Sequence, residues 1–171
     1  NATQGKGGTI NIAGREGITV EPAARITANG TEGGSVTLTS SAGNVTVAAL
    51  VTANATAGRA GQIAVNAAGA VTLASSAQLS ASGGQGGGAI AVKGGTGVVI
   101  ETDSIVQANG AAGGTVNIQA DEGAVASQGT IEVTGAELDG GSVAIAARDD
   151  ITLDIGSRIL ASGSTGGQMR V

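Results

Sequence analysis

The chain has no Cys, His, Trp, Tyr or Phe, and only one Pro (Pro22) and one Met (Met169) among its 171 residues. Each absence excludes something. Without Cys there is no disulfide and no thiolate metal site. Without His there is no imidazole ligand, and the common nucleophile–base pairs cannot be built. A Ser–Lys pair would have to use Lys6 or Lys93, the only two lysines, and no motif surrounds either. No apolar run approaches the ~20 residues of a membrane-spanning helix, so insertion into a membrane is not expected. The formal net charge of −5 disfavours generic nucleic-acid binding. It is unevenly spread: residues 1–85 carry three acids and four bases, and residues 86–171 carry ten acids and four bases.

What the chain does contain is glycine, 32 residues of it, together with Ala, Val, Ile, Thr, Ser and Asn. The hydrophobic fraction is 41% and the charged fraction 12%, too apolar and too weakly charged for a typical disordered chain. Gly does not recur at every third residue, so a collagen helix is excluded.

A repeat organises these residues. The pattern Gly, any, apolar, any, apolar begins at Gly8, Gly34, Gly61, Gly88, Gly114, Gly141 and Gly167. Its first apolar positions are Ile10, Val36, Ile63, Ile90, Val116, Val143 and Met169. The motif thus returns about every 27 residues, within the range of solenoid repeats. Each period holds two further alternating runs. One is Ile18-Thr19-Val20 and its counterparts, with a degenerate fifth copy at Ala124-Val125-Ala126. The other is Ile26-Thr27-Ala28 and its counterparts, usually followed by a small polar residue such as Asn29, Asn54, Ser82 or Asn109.

Alternation with a period of two marks strands that bury one face. The Val, Ile and Thr content suits a pleated surface. Three short strands per period predict an all-β fold: a right-handed parallel β-helix of about six coils, each of about 26–27 residues. A coil cannot bury its apolar side alone, so coils must stack. Stacking forms inward columns of aliphatic side chains, in a core too thin for aromatic rings. Glycines are expected at corners, where positive φ or close approach of coils is needed. Asn29-Gly30 and Asn109-Gly110 read as left-handed corners. Residues 1–171 are expected to form one solenoid segment. The pattern runs to both ends without a polar cap, so it is expected to belong to a longer fibre or to stack end to end.

Gly113-Gly114-Thr115-Val116-Asn117-Ile118-Gln119-Ala120 and Ile159-Leu160-Ala161-Ser162-Gly163 resemble repeats of filamentous-haemagglutinin-type exoproteins. The resemblance spans nearly the whole chain. It implies a rigid segment of an extracellular or bacterial cell-surface fibre or adhesin, exported by a two-partner or autotransporter route. It also implies a biofilm or adhesion role, with partners that are other copies of the chain or a cell surface, and no enzymatic activity.

Two groups of residues are candidates for a site. Asp121, Glu122, Asp149 and Asp150 fall together if coils stack in register, with Arg148 above Asp121 and Asp149 above Glu122. Clustered carboxylates are Ca²⁺ ligands, which leaves open a Ca²⁺-dependent carbohydrate binder or a polysaccharide-processing β-helix. The plainer reading is a solvated, partly compensated corner. The second group is the outward column of the second strand: Thr19, Thr46, Thr72, Val99, Val125 and Thr152. β-branched propensity alone accounts for such a column. Its functional reading is a lateral contact face, and a regular Thr array would also suit ice. The run Gly83-Gly84-Gln85-Gly86-Gly87-Gly88 lacks the Gly-Lys-Ser/Thr ending of a phosphate loop and is expected to be a loose corner.

Overall fold

The computed structural model describes residues 5–171. Among these it contains nineteen strands and no helix. The strands form three parallel sheets, one of seven strands and two of six, and each strand between the sheet ends pairs with its counterparts one coil before and after. The fold is therefore a parallel β-solenoid with three strands per coil.

Register follows the repeat. In the first sheet Ile10, Val36, Ile63, Ile90, Val116, Val143 and Met169 lie in one row. In the third sheet Ile26, Val51, Leu79, Val106, Ile131 and Ile159 do the same. Burial alternates along each strand as the pleat requires; Ser35–Ser40 alternates between half-buried and buried at every step. The largest fully buried side chains are all Leu, Ile or Val. Each such side chain contributes roughly 1.5–3 kcal/mol on burial, so coils stabilise one another through their stacked interiors.

The glycine of the repeated motif has a structural cause. Its carbonyl accepts the amide of the next coil, as in Gln62 N–H to Gly34 O at 2.9 Å and Ala89 N–H to Gly61 O at 3.1 Å. A Cβ on Gly34, Gly61, Gly88, Gly114 or Gly141 would overlap the glycine carbonyl one coil earlier. None of these glycines has positive φ. Close approach of coils, rather than left-handed backbone, excludes a side chain here.

The expected left-handed corners at Asn29-Gly30 and Asn109-Gly110 are not formed, since none of these four residues has positive φ. The asparagines serve differently. Asn29 Oδ1 accepts Asn54 N–H at 2.7 Å, and Asn54 Oδ1 accepts Ser82 N–H at 2.8 Å. Ser82 Oγ accepts Asn109 N–H at 3.2 Å, and Asn109 Oδ1 accepts Thr134 N–H at 2.8 Å. The small polar residue after each third strand thus satisfies a backbone donor of the coil above. Positive φ occurs instead at other residues, among them Gly5, Gly166, Asp103 and Gly156. The last two each take the third position of a second-corner turn, where a type II turn requires it.

The coils conceal a second order. Coil 1 has its inward anchors at Ile10, Ile18 and Ile26, and Val36 opens the next coil, so its three intervals are nearly even. Coil 2 has them at Val36, Val45 and Val51, and Ile63 opens coil 3, so its middle interval is short and its last one long. Coil 5 (Val116, Val125, Ile131, then Val143) repeats the division of coil 2 position for position. Coils 1, 3, 4 and 6 make their second corner with a four-residue turn, closed by Ala24, Ala77, Ser104 and Ser157 N–H on Glu21, Ala74, Glu101 and Asp154 O respectively. Coils 2 and 5 omit it and lengthen their third corner. Whatever its length, the third corner closes with one bond: Gly34 N–H to Ala28 O, Gly61 to Ala53, Gly88 to Ala81, Gly114 to Ala108 and Gly141 to Val133, at 2.7–3.0 Å. The coils therefore recur in threes, with Ile10, Val36 and Ile63 answered by Ile90, Val116 and Val143.

The fifth copy of the second strand corrects the sequence reading. Val125 pairs with Val98 and Ile151 and is wholly buried. Ala126 takes the outward place, and Ser127 occupies the inward place of Ile100 and Leu153. Ser127 is wholly buried, and its Oγ has no hydrogen-bond partner.

Three variants test this packing. Gly61→Ala forces coils apart and should cost about 1–3 kcal/mol. Gly8→Ala meets nothing within 4 Å and should stay within about 0.5 kcal/mol of the parent. Ser127→Val removes a buried hydroxyl without a partner and should stabilise by about 1 kcal/mol. Thermal denaturation checks the order.

Candidate functional site

The outward column of the second sheet contains Thr19, Thr46, Thr72, Val99, Ala126 and Thr152. Thr19, Thr46, Thr72, Val99 and Thr152 stand where the sequence places them, and Ala126 replaces Val125. Val99 is 41% exposed. The matching column of the third sheet is not an open face: Thr52 is 5% exposed and Ser80 3%. Ser80 Oγ donates to Asn54 Oδ1 at 2.9 Å and accepts from Gln107 Nε2 at 3.0 Å. Thr27, Gln107, Glu132 and Leu160 of the same column are half-buried.

The four candidate carboxylates lie at the first corner of coils 5 and 6. Asp121 pairs with Lys93 of the coil before, at 2.9 Å, the only ion pair among the described residues. That hydrogen bond to Lys93 holds the Asp121 carboxyl below its ordinary value of 3.8, with Gln119 donating as well. Coil 6 turns this corner one residue sooner than coil 5, so Asp149 N–H reaches Gly123 O rather than lying in register with Glu122. Among the described residues no three Asp or Glu side chains gather closely enough to hold a metal ion. Asp154, at the second corner, is also held low, first by the Ile155 amide and then by Gln128.

Sequence reasoning missed one concavity. A groove runs along the third corner, parallel to the solenoid axis, with the glycine ladder as its floor. It widens into two hollows. One, of about 580 Å³, is bounded by Gly33, Gly34, Ser35, Arg59, Gly61 and Gln62, with Lys6 and Glu32 beside them. The other, of about 420 Å³, is bounded by Gly113, Gly114, Thr115, Asp139, Gly141 and Ser142. A narrower stretch shares residues with both and joins them. The two sets are equivalent position for position, from Gly33 with Gly113 to Gln62 with Ser142. The hollows are thus one feature built twice, beside the long third corners of coils 2 and 5. Their charge differs where Arg59 of the first corresponds to Asp139 of the second. The signal present in the sequence is the pair of long intervals, Val51 to Ile63 and Ile131 to Val143.

Comparison of the chain with family models, with curated proteins and with solved structures gave no match.

A titration checks the Lys93–Asp121 pair. Because the folded carboxyl titrates below the unfolded one, its stabilising contribution is complete above the unfolded value and is lost as pH falls through the folded value. Carboxyl-carbon NMR should place Asp121 below 3.8, and Lys93→Met should return it towards that value.

Proposed function

We propose that this chain is a structural segment of an extracellular or cell-surface fibre or adhesin, in which it acts as a rigid stalk rather than as a catalyst. The observation that carries the reading is the unbroken register of all three sheets from the first coil to the last. The inward positions serve axial packing. The outward positions of the sheets are mainly Thr, Ser, Asn, Gln and Ala, which leave a hydrated, weakly charged surface. Every coil adds about 4.8 Å of length, so the seven-stranded sheet spans roughly 29 Å. A design that grows by adding coils suits a spacer whose useful property is length.

The three-coil unit deepens this reading. Three coils return the corner pattern to its starting phase, so a stalk can lengthen by whole units without a new corner. The outward second-sheet column, with Thr19, Val99 and Thr152 exposed and Thr46 and Thr72 half-buried, supplies a side for contact with a neighbouring filament or cell surface. The carboxylates at the first corner are solvated and partly neutralised, in keeping with a surface that must remain soluble when many copies are crowded together.

Modular length has a direct test. Duplicating residues 36–115, one full three-coil unit, should extend the particle by about 14 Å in small-angle scattering while leaving the unfolding temperature no lower. Loss of cooperative unfolding or no gain in length overturns the modular stalk. The location is tested separately: antibody against the chain should label intact source cells from outside, and label confined to the interior of permeabilised cells overturns it.

A further inference from the structure

The two hollows have opposite rims. The first is flanked by the exposed cations Lys6 and Arg59, with the single acid Glu32 beside them. At the equivalent third corner of coil 5 stand Glu137, Leu138 and Asp139, all exposed. Leu138 is 55% exposed, a large apolar side chain at the tip of a corner whose backbone is held fast. Its N–H bonds Ala111 O at 2.8 Å, and its carbonyl accepts Ser164 N–H at 2.9 Å. Its counterpart in coil 2 is Gly58, which has no side chain. One corner is therefore an acidic knob with an apolar tip, and the other is a basic-rimmed hollow with a glycine floor.

We propose that two copies of this chain pair side by side and antiparallel along the third corner, each placing its Leu138 knob in the first hollow of the other. A two-fold axis between coils 3 and 4, perpendicular to the rod, carries coil 2 of one copy onto coil 5 of its partner. Arg59 of each copy then faces Asp139 of the other, and Glu137 adds negative charge opposite the basic rim. Every favourable contact is made twice, as an isologous interface requires. A parallel pair in register would set Arg59 against Arg59 and Asp139 against Asp139. A parallel pair displaced by three coils would make the favourable contact only once. Charge thus selects the antiparallel arrangement, while the Leu138 tip supplies apolar burial. Pairing of this kind is independent of where the rods are deployed, and it uses a different side of the solenoid from the Thr column.

Sedimentation equilibrium on the full chain should show a monomer–dimer equilibrium that weakens as salt is raised. Arg59→Asp and Asp139→Arg should each weaken dimerisation by at least about tenfold, because each sets like charges face to face twice per dimer. The double variant should recover most of the parent affinity. Unchanged circular dichroism and melting in each variant separate loss of pairing from loss of fold. Polarity is read by oxidation, since the parent has no Cys. Ala57→Cys and Leu138→Cys chains, mixed, should cross-link to each other faster than either does to itself. A chain that stays monomeric, a double variant as weak as the single ones, or preferential self-cross-linking of Ala57→Cys overturns the proposal.

Discussion

Everything in this molecule depends on one spacing. From Gly34 to Gly141, the glycine before each first strand lets two backbones meet at hydrogen-bond distance, because a Cβ there would occupy the place of the carbonyl below. That contact fixes the height of each coil, and height fixes register. Register then decides which face of every strand is buried, since a slip of one residue reverses all of them. The aliphatic columns supply most of the free energy, but they can do so only where the corner holds coils close enough for the columns to touch. Glycine is placed here by geometry and aliphatic residues by burial, and the two requirements together leave little room for other chemistry.

The first strands are legible in the sequence because each sets Val, Ile, Leu or Met at alternate positions against polar or small outward residues, and the motif glycine marks the phase. The third strands are legible because their central aliphatic returns in every coil. The fifth copy of the second strand lacks that contrast. In Ala124-Val125-Ala126-Ser127 both phases offer small residues to both faces, and the phase that buries Val125 must also bury Ser127. Local pattern alone therefore points to the wrong phase. Neighbouring coils settle it, since Val125 can satisfy the ladder only opposite Val98 and Ile151. The Asn-Gly corners mislead for another reason. The dipeptide favours left-handed backbone in an isolated turn, but in a stack the side-chain amide has a better use. It accepts the amide of the next coil, a donor that would otherwise be unpaired at a sharp bend.

The candidate groove is hidden by compensation. Coils 2 and 5 shorten their second corner and lengthen their third, and the whole coil stays as long as coil 3. A period measured only at the motif glycine cannot see this. The three-coil unit becomes visible when each coil is divided at its inward anchors, which requires knowing that all three strands point the same way. Once that is known, Arg59 and Asp139 fall at equivalent positions, and a difference in charge between two otherwise matched hollows stands out. The carboxylates at the first corner draw notice in the sequence because they are adjacent in number. Adjacency along a strand or turn directs side chains to different sides, however, and coil 6 turns too early for Asp149 to meet Glu122 in register.

The placement of charge bears on how such rods distinguish one neighbour from another. The backbone polar groups of the sheets are consumed by the coils above and below, and the sheet faces carry mostly hydroxyl, amide and methyl groups. Such faces repeat every coil, so one rod can slide along another by about 4.8 Å and find nearly the same contacts. A repeating face therefore sets no register for a neighbour. Corners are different, because they vary in length and composition from coil to coil. The long third corners recur only every third coil, and the two in this chain carry opposite charge at Arg59 and Asp139. A neighbour that engages them can do so at one offset and in one direction. The solenoid thus separates two tasks: its uniform interior sets length and stiffness, and its irregular corners are the places where orientation and partner can be specified.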